Sequence, residues 1–108
     1  MFKTSSVYIM IRPEVKIPGS VYEELSRDHS IIEEGYEGTF AHFQGIMWDH
    51  AFDNVQIIED YLSRLDRRDF FFIRVSSLDD IEVAGKWEQH PFRRYLPYNL
   101  VEHLDSIL

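Results

Sequence analysis

The sequence predicts a single α+β domain over residues 1–108, and three observations carry that prediction. Short runs rich in β-branched and aromatic residues read as strands at 7–11, 39–48 and 70–75. Two segments, 20–27 and 53–67, repeat their apolar residues at helical spacing. Every proline, and every glycine but Gly45, falls between these runs and not inside them.

In the first strand, Val7, Ile9 and Ile11 alternate with Tyr8 and Met10, so both of its faces are apolar. Pro13 ends its regular pairing because it has no N–H to donate. Ser20 and Glu23 have capping-box spacing, and Val21, Tyr22 and Leu25 give the following helix an apolar side. Ile31-Ile32 and Thr39 to Trp48 read as two strands joined by Gly35-Tyr36-Glu37-Gly38. Glycines at both ends of that turn permit positive φ. Phe40, His42, Gln44, Ile46 and Trp48 share one face of the second of these strands; Ala41, Phe43 and Met47 share the other.

Asp53 and Gln56 suggest a second capped start, and Val55, Ile58, Leu62 and Leu65 form the apolar stripe of the strongest helix. That helix is expected to run out at Arg67-Arg68, cations suited to its negative end. Phe70 to Val75 is apolar until Arg74, as a central strand would be. After a turn over 76–80, Ile81, Val83, Gly85 and Trp87 line one face of a further strand. His90-Pro91 and Leu96-Pro97 predict an extended loop. Asn99 with Glu102 suggests a third cap, for a closing helix with Leu100, Val101, Leu104 and Leu108 on one side.

The order is β-α-β-β-α-β followed by a strand and a helix. It matches the ferredoxin-like, split-βαβ arrangement: an antiparallel sheet of four to five strands with helices on one face. Such a sheet leaves a second large apolar face, which cannot stay in water. The closing helix over 98–108 is the expected cover, with a homodimer or a ligand as the alternatives.

Composition narrows the function classes. The chain is 44% hydrophobic and 28% charged, ordinary for a folded protein. It has no cysteine, which excludes disulfides and thiolate metal sites and fits a cytoplasmic location. No apolar run has the length of a membrane span, and no secretory leader is evident at the N-terminus.

Charge is distributed unevenly. Residues 14–60 hold eleven carboxylates against Lys16 and Arg27, in a chain with net charge −8. Such a stretch repels phosphate and attracts cationic surfaces. Direct nucleic-acid binding is therefore not expected, although aromatic strands invite it, because phosphate affinity rests on Lys and Arg. The acids expected to meet a basic partner are Glu23, Glu24, Glu33, Glu34 and Glu37. In the limiting case their spacing would mimic that of nucleic-acid phosphates.

Two further clusters are candidates. Trp48, Asp49, His50 and Asp53 lie at a strand-to-helix junction, where the last three could ligate a metal or exchange protons. Helix capping by Asp53 and packing by Trp48 explain the same residues without chemistry. Trp87, Arg93 and Arg94 flank His90-Pro91, and with Trp48 they are the residue types that anchor interfaces. The two arginines could equally answer the acidic half of the chain.

There is no nucleophile elbow, cysteine nucleophile or phosphate-cradling glycine loop. The sequence therefore favours a non-enzymatic binding module that uses no cofactor. Its expected work is that of an inhibitor, immunity or antagonist protein occluding a basic surface of another protein. The alternative is a dimeric α+β domain binding a small ligand or metal at Asp49, His50 and Asp53.

Overall fold

The structure is a computed structural model that describes residues 5–26, 31–45, 53–87 and 91–108. The elements in chain order are β1 (Ser5–Ile11), α1 (Gly19–Leu25), β2 (Ile31–Gly35), β3 (Gly38–Gly45), α2 (Asp53–Ser63), β4 (Phe70–Ser77), β5 (Asp80–Gly85), a 3₁₀ turn (Pro91–Tyr95) and α3 (Tyr98–Ile107). The five strands form one sheet in the order β2-β3-β1-β4-β5, and every adjacent pair is antiparallel. The α+β class expected from the sequence holds.

β1 lies at the centre, and its composition explains why. Val7, Ile9 and Ile11 pack with Val21 and Leu25 of α1 and with Ile58 and Leu62 of α2. Ala41, Phe43, Phe70 and Phe72 complete that face of the sheet. Tyr8 and Met10 point the other way, into a second core with Phe40, Phe71, Ile73, Leu96, Leu100 and Leu104. Helices thus lie on both faces: α1 and α2 on one, α3 on the other. A strand buried on both sides must be apolar at every position. Val7 through Ile11 are accordingly at most 6% exposed. The second apolar face is covered within the chain by its own closing helix.

Register fixes which side chains share a face. Ile9 stands between Ala41 and Phe72, and Met10 between Phe40 and Phe71. The 35–38 turn takes the expected shape, with φ of +142° at Gly35 and +108° at Gly38. A β-carbon on Gly38 would run into the Ile11 carbonyl oxygen. That position therefore needs glycine for space as well as for backbone angle.

Several local expectations are corrected. Ser20 does not cap α1, and Asn99 does not cap α3 in the expected way. The N-caps are Pro18 and Pro97, neither of which offers a side-chain hydrogen bond. Proline at these positions fixes φ near helical values and leaves Ser20 inside the first turn. The Asn99 side chain instead accepts from the next amide, Leu100 N–H, at 3.1 Å. α2 stops at Ser63, short of Arg67 and Arg68. Asp66 ends the run by accepting the Arg68 backbone N–H at 2.9 Å, a turn that competes with helix. The segment after His90 is a 3₁₀ turn and not an extended loop.

Candidate functional site

α1 and α2 lie against each other on one face of the sheet. Their sequences carry Glu23 and Glu24, and Asp53, Glu59 and Asp60, with no lysine or arginine in either helix. Apolar positions face the sheet, so the outward side of this layer is left to the acids. β5 extends the same surface. Glu82 is registered with Arg74, on the face of the sheet that α1 and α2 cover.

The acids there are crowded. Burial raises the Glu59 carboxyl above its ordinary value, and the nearby charges of Glu82 and Asp60 raise it further. Like charges disfavour the ionised form, so a cation beside Glu59 would favour its charge. Arg74 reaches this group, binding Glu82 at 3.0 Å and Asp80 at 3.5 Å. Two apolar side chains, Tyr22 and Ile57, are each 38% exposed on this layer. Tyr61, one helical turn beyond Ile57, donates its hydroxyl to the Lys16 carbonyl at 3.2 Å and ties α2 to the start of α1.

The acids expected to steer a partner are not all on one surface. Glu23 is exposed and Glu24 half-buried on α1. Glu34 lies on β2 and accepts the Tyr22 hydroxyl at 2.7 Å, which also raises the Tyr22 phenol above its ordinary value. Glu37 is in the hairpin turn, paired with Arg94 at 3.0 Å. Linear clustering therefore resolves into a helical layer and a hairpin. The side chain of Glu33 lies outside the described residues.

The aromatic-arginine cluster is engaged within the molecule. Trp87 packs against the second core, its ring centroid 5.0 Å from that of Phe71. Its indole N–H donates to Asp105 at 2.8 Å. The Arg93 guanidinium sits 4.8 Å from the centre of the Trp87 ring and is ion-paired with the same Asp105. Arg94 lies 4.8 Å from the centre of the Tyr95 ring and reaches Glu37. These residues hold the 3₁₀ turn, α3 and the hairpin together.

Trp48, Asp49 and His50 lie outside the described residues, as does the side chain of Asp53. Among the described residues, no group of three or more His, Asp or Glu could hold a metal ion. No helix of the described residues is long and apolar enough to cross a membrane.

Sequence reading missed the meeting of Glu59 and Asp60 with Glu82. Nothing local links positions 59 and 82; the pairing of β5 with β4 places them together. The adjacent acids Glu59-Asp60 were the available signal.

Comparison of the chain with known protein families, with curated proteins and with solved structures returns no match. The ferredoxin-like reading accordingly remains a likeness of element order.

Proposed function

We propose that this protein is a binding module whose α1–α2 layer docks on a basic surface of another protein and occludes it. The observation that carries this reading is the two adjacent helices that bear five acids and no base. Complementary charge speeds encounter and rejects wrong partners, while adhesion needs an apolar centre. Tyr22 and Ile57 supply exposed apolar area on that layer. A net charge of −8 keeps the module off nucleic acid and directs it to cations.

The test is capture from a lysate of the source organism at about 50 mM and about 500 mM salt, a range over which exposed charges become screened. Wild type is compared with a layer-neutral variant, Glu23→Gln/Glu59→Gln/Asp60→Asn. A basic protein retained by wild type at low salt, and several-fold less by the variant or at high salt, is the expected result. Equal retention by both proteins would remove the layer from the reading.

A further inference from the structure

The sheet ends in two strands, β2 and β5, that each pair on one side only. An edge strand offers a row of backbone groups to which another strand can be added, and proteins commonly guard such edges. β2 is guarded. It is short, a register shift between Ile31 and Glu33 breaks its line, and its sequence sets two acids in a row. β5 has none of these devices on its free side. It contains no proline, and the register shift beside it lies on β4, between Val75 and Ser77.

Register shows which backbone groups of β5 face outward. The Lys86 N–H donates to the Phe70 carbonyl at 3.1 Å, so these two form a bonded pair. Bonded and non-bonded pairs alternate along an antiparallel ladder. Ala84, opposite Phe72, and Glu82, opposite Arg74, therefore also turn their backbone groups to β4. Ile81 and Val83, opposite Val75 and Ile73, turn theirs outward. Among the described residues, no backbone group outside the sheet bonds to either. On the face covered by α3, Ile81 is half-buried against the second core, whereas Val83 is 39% exposed. The regular edge closes at Gly85, whose φ of +82° leaves the extended region. Lys86, the next residue, is exposed.

We infer that β5 pairs with β5 of a second copy of the chain, antiparallel and about a two-fold axis at Val83, joining two five-stranded sheets into one. Outward groups meet outward groups only where odd positions oppose odd positions. With Val83 opposite Val83, each exposed valine is covered by its copy, and Ile81 opposes Gly85. Lys86 of each copy then stands across from Asp80 of the other, and Glu82 across from Ala84. Sliding the pair toward the 78–79 turn sets Glu82 against Glu82, and like charges directly opposite are destabilising. Sliding it the other way carries the pairing beyond Gly85, where the regular edge has closed. An unrelated extended segment would meet the same outward groups without the two reciprocal Lys86–Asp80 pairs. The two-fold leaves both α1–α2 layers on one side of the joined sheet and both α3 helices on the other. Backbone pairing and valine burial are not screened by salt, so this contact outlasts one made by charge alone.

The chain has no cysteine, so single cysteines can report the seam. In the inferred register the two Val83 Cα atoms are about 5.5 Å apart, within the span of a disulfide, and the two Ala84 residues are diagonal neighbours about 7–8 Å apart. With oxidised glutathione, Val83→Cys is expected to form a linked dimer several-fold faster than Ala84→Cys. Equal rates, or a faster Ala84→Cys, would overturn the inference. Sedimentation equilibrium from about 10 µM to about 1 mM protein should show wild type stopping at twice the 12.9 kDa monomer mass, at about 50 mM and about 500 mM salt alike. Val83→Pro removes an N–H that β4 does not use, and Lys86→Asp sets acid against acid at both ends of the seam. Both positions are exposed, and each change is expected to weaken the dimer about tenfold, the effect of losing roughly 1.4 kcal/mol. Unfolding curves check that both variants fold, and Lys86→Asp keeps the test open if proline disturbs the strand. Monomeric wild type at about 1 mM, growth beyond the dimer, or a dimer that neither change weakens would overturn the inference. So would slow hydrogen exchange at the Ile81 and Val83 amides at every protein concentration, because another part of the chain would then cover the edge. The inference goes beyond the docking of the α1–α2 layer and does not rest on it, since a Lys86→Asp monomer keeps that layer intact.

Discussion

The Trp87 indole N–H donates to the Asp105 carboxylate at 2.8 Å, joining the exit of β5 to α3 across 18 positions of sequence. Arg93 binds the same carboxylate and covers the indole ring, so one acid orders two neighbours.

Replacing Asp105 by Ala should leave both donors without that partner. A net hydrogen bond is worth about 0.5–1.5 kcal/mol, and Asp105 is half-exposed, so the expected loss is about 1 kcal/mol. Urea unfolding should show a lower midpoint with unchanged slope, and the tryptophan emission should move to the red. An unchanged midpoint would mean that water replaces the carboxylate without penalty.

Gly38→Ala should be far more damaging than Gly35→Ala. Both backbones have positive φ, but a β-carbon at 38 meets the Ile11 carbonyl, whereas at 35 it meets nothing within 4 Å. Backbone strain alone costs about 1–3 kcal/mol, and the clash at 38 adds to it. Thermal melts of the two variants should therefore separate by several degrees. Equal melting would show that the hairpin shifts to relieve the contact.

The two-faced apolar pattern of Val7 to Ile11 made the central strand legible in sequence, because only burial on both sides requires it. The 35–38 turn was legible for a similar reason: glycine at both ends has few other uses. The helix caps were not. Ser20-x-x-Glu23 has capping spacing, but Pro18 sits one residue ahead of the helix and takes the cap position. Of the candidate site, the excess of acids over residues 14–60 could be read directly, but the absence of bases from α1 and α2 could not, because the predicted helices run on to Arg27 and to Arg67 whereas the observed ones stop at Leu25 and Ser63. The roles of Glu37 and Trp87 could not. Their partners, Arg94 and Asp105, are 57 and 18 positions away and are brought together only by the hairpin and by α3.

Leu104 of α3 is fully buried in the second core, with Tyr8, Met10, Phe40, Phe71 and Ile73. Leu104→Ala should lose about 2–5 kcal/mol, the range for opening a cavity at a buried leucine. Loosened α3 would expose the aromatic face of the sheet, so dye binding at sub-denaturing urea should rise. Ile107→Ala, at a position 54% exposed on the same helix, should stay within about 0.5 kcal/mol of wild type. Comparable losses at both positions would mean that helix propensity, and not burial, holds α3 down.

The last prediction concerns His42, whose ring stacks on Tyr8 with centroids 4.3 Å apart and planes 7° from parallel. Its Nε2 is buried without a hydrogen-bond partner among the described residues, and burial lowers the imidazole pKa below its ordinary value of about 6.5. The unfolded chain therefore takes up this proton more readily than the folded one. Above about pH 6.5 the ring is neutral in both states and carries no penalty; as pH falls below that value, stability declines until the folded ring is protonated as well. His42→Phe keeps an aromatic ring beside Tyr8 and removes the titration. Between pH 7 and pH 5 its melting temperature should fall less than that of wild type, with the difference between the two proteins appearing below about pH 6.5. At pH 7 the variant should be at least as stable as wild type, since an unpaired buried nitrogen is replaced by carbon. Parallel pH profiles would mean that the His42 ring is solvated in the folded protein, and the Tyr8 stack would then have no part in acid sensitivity.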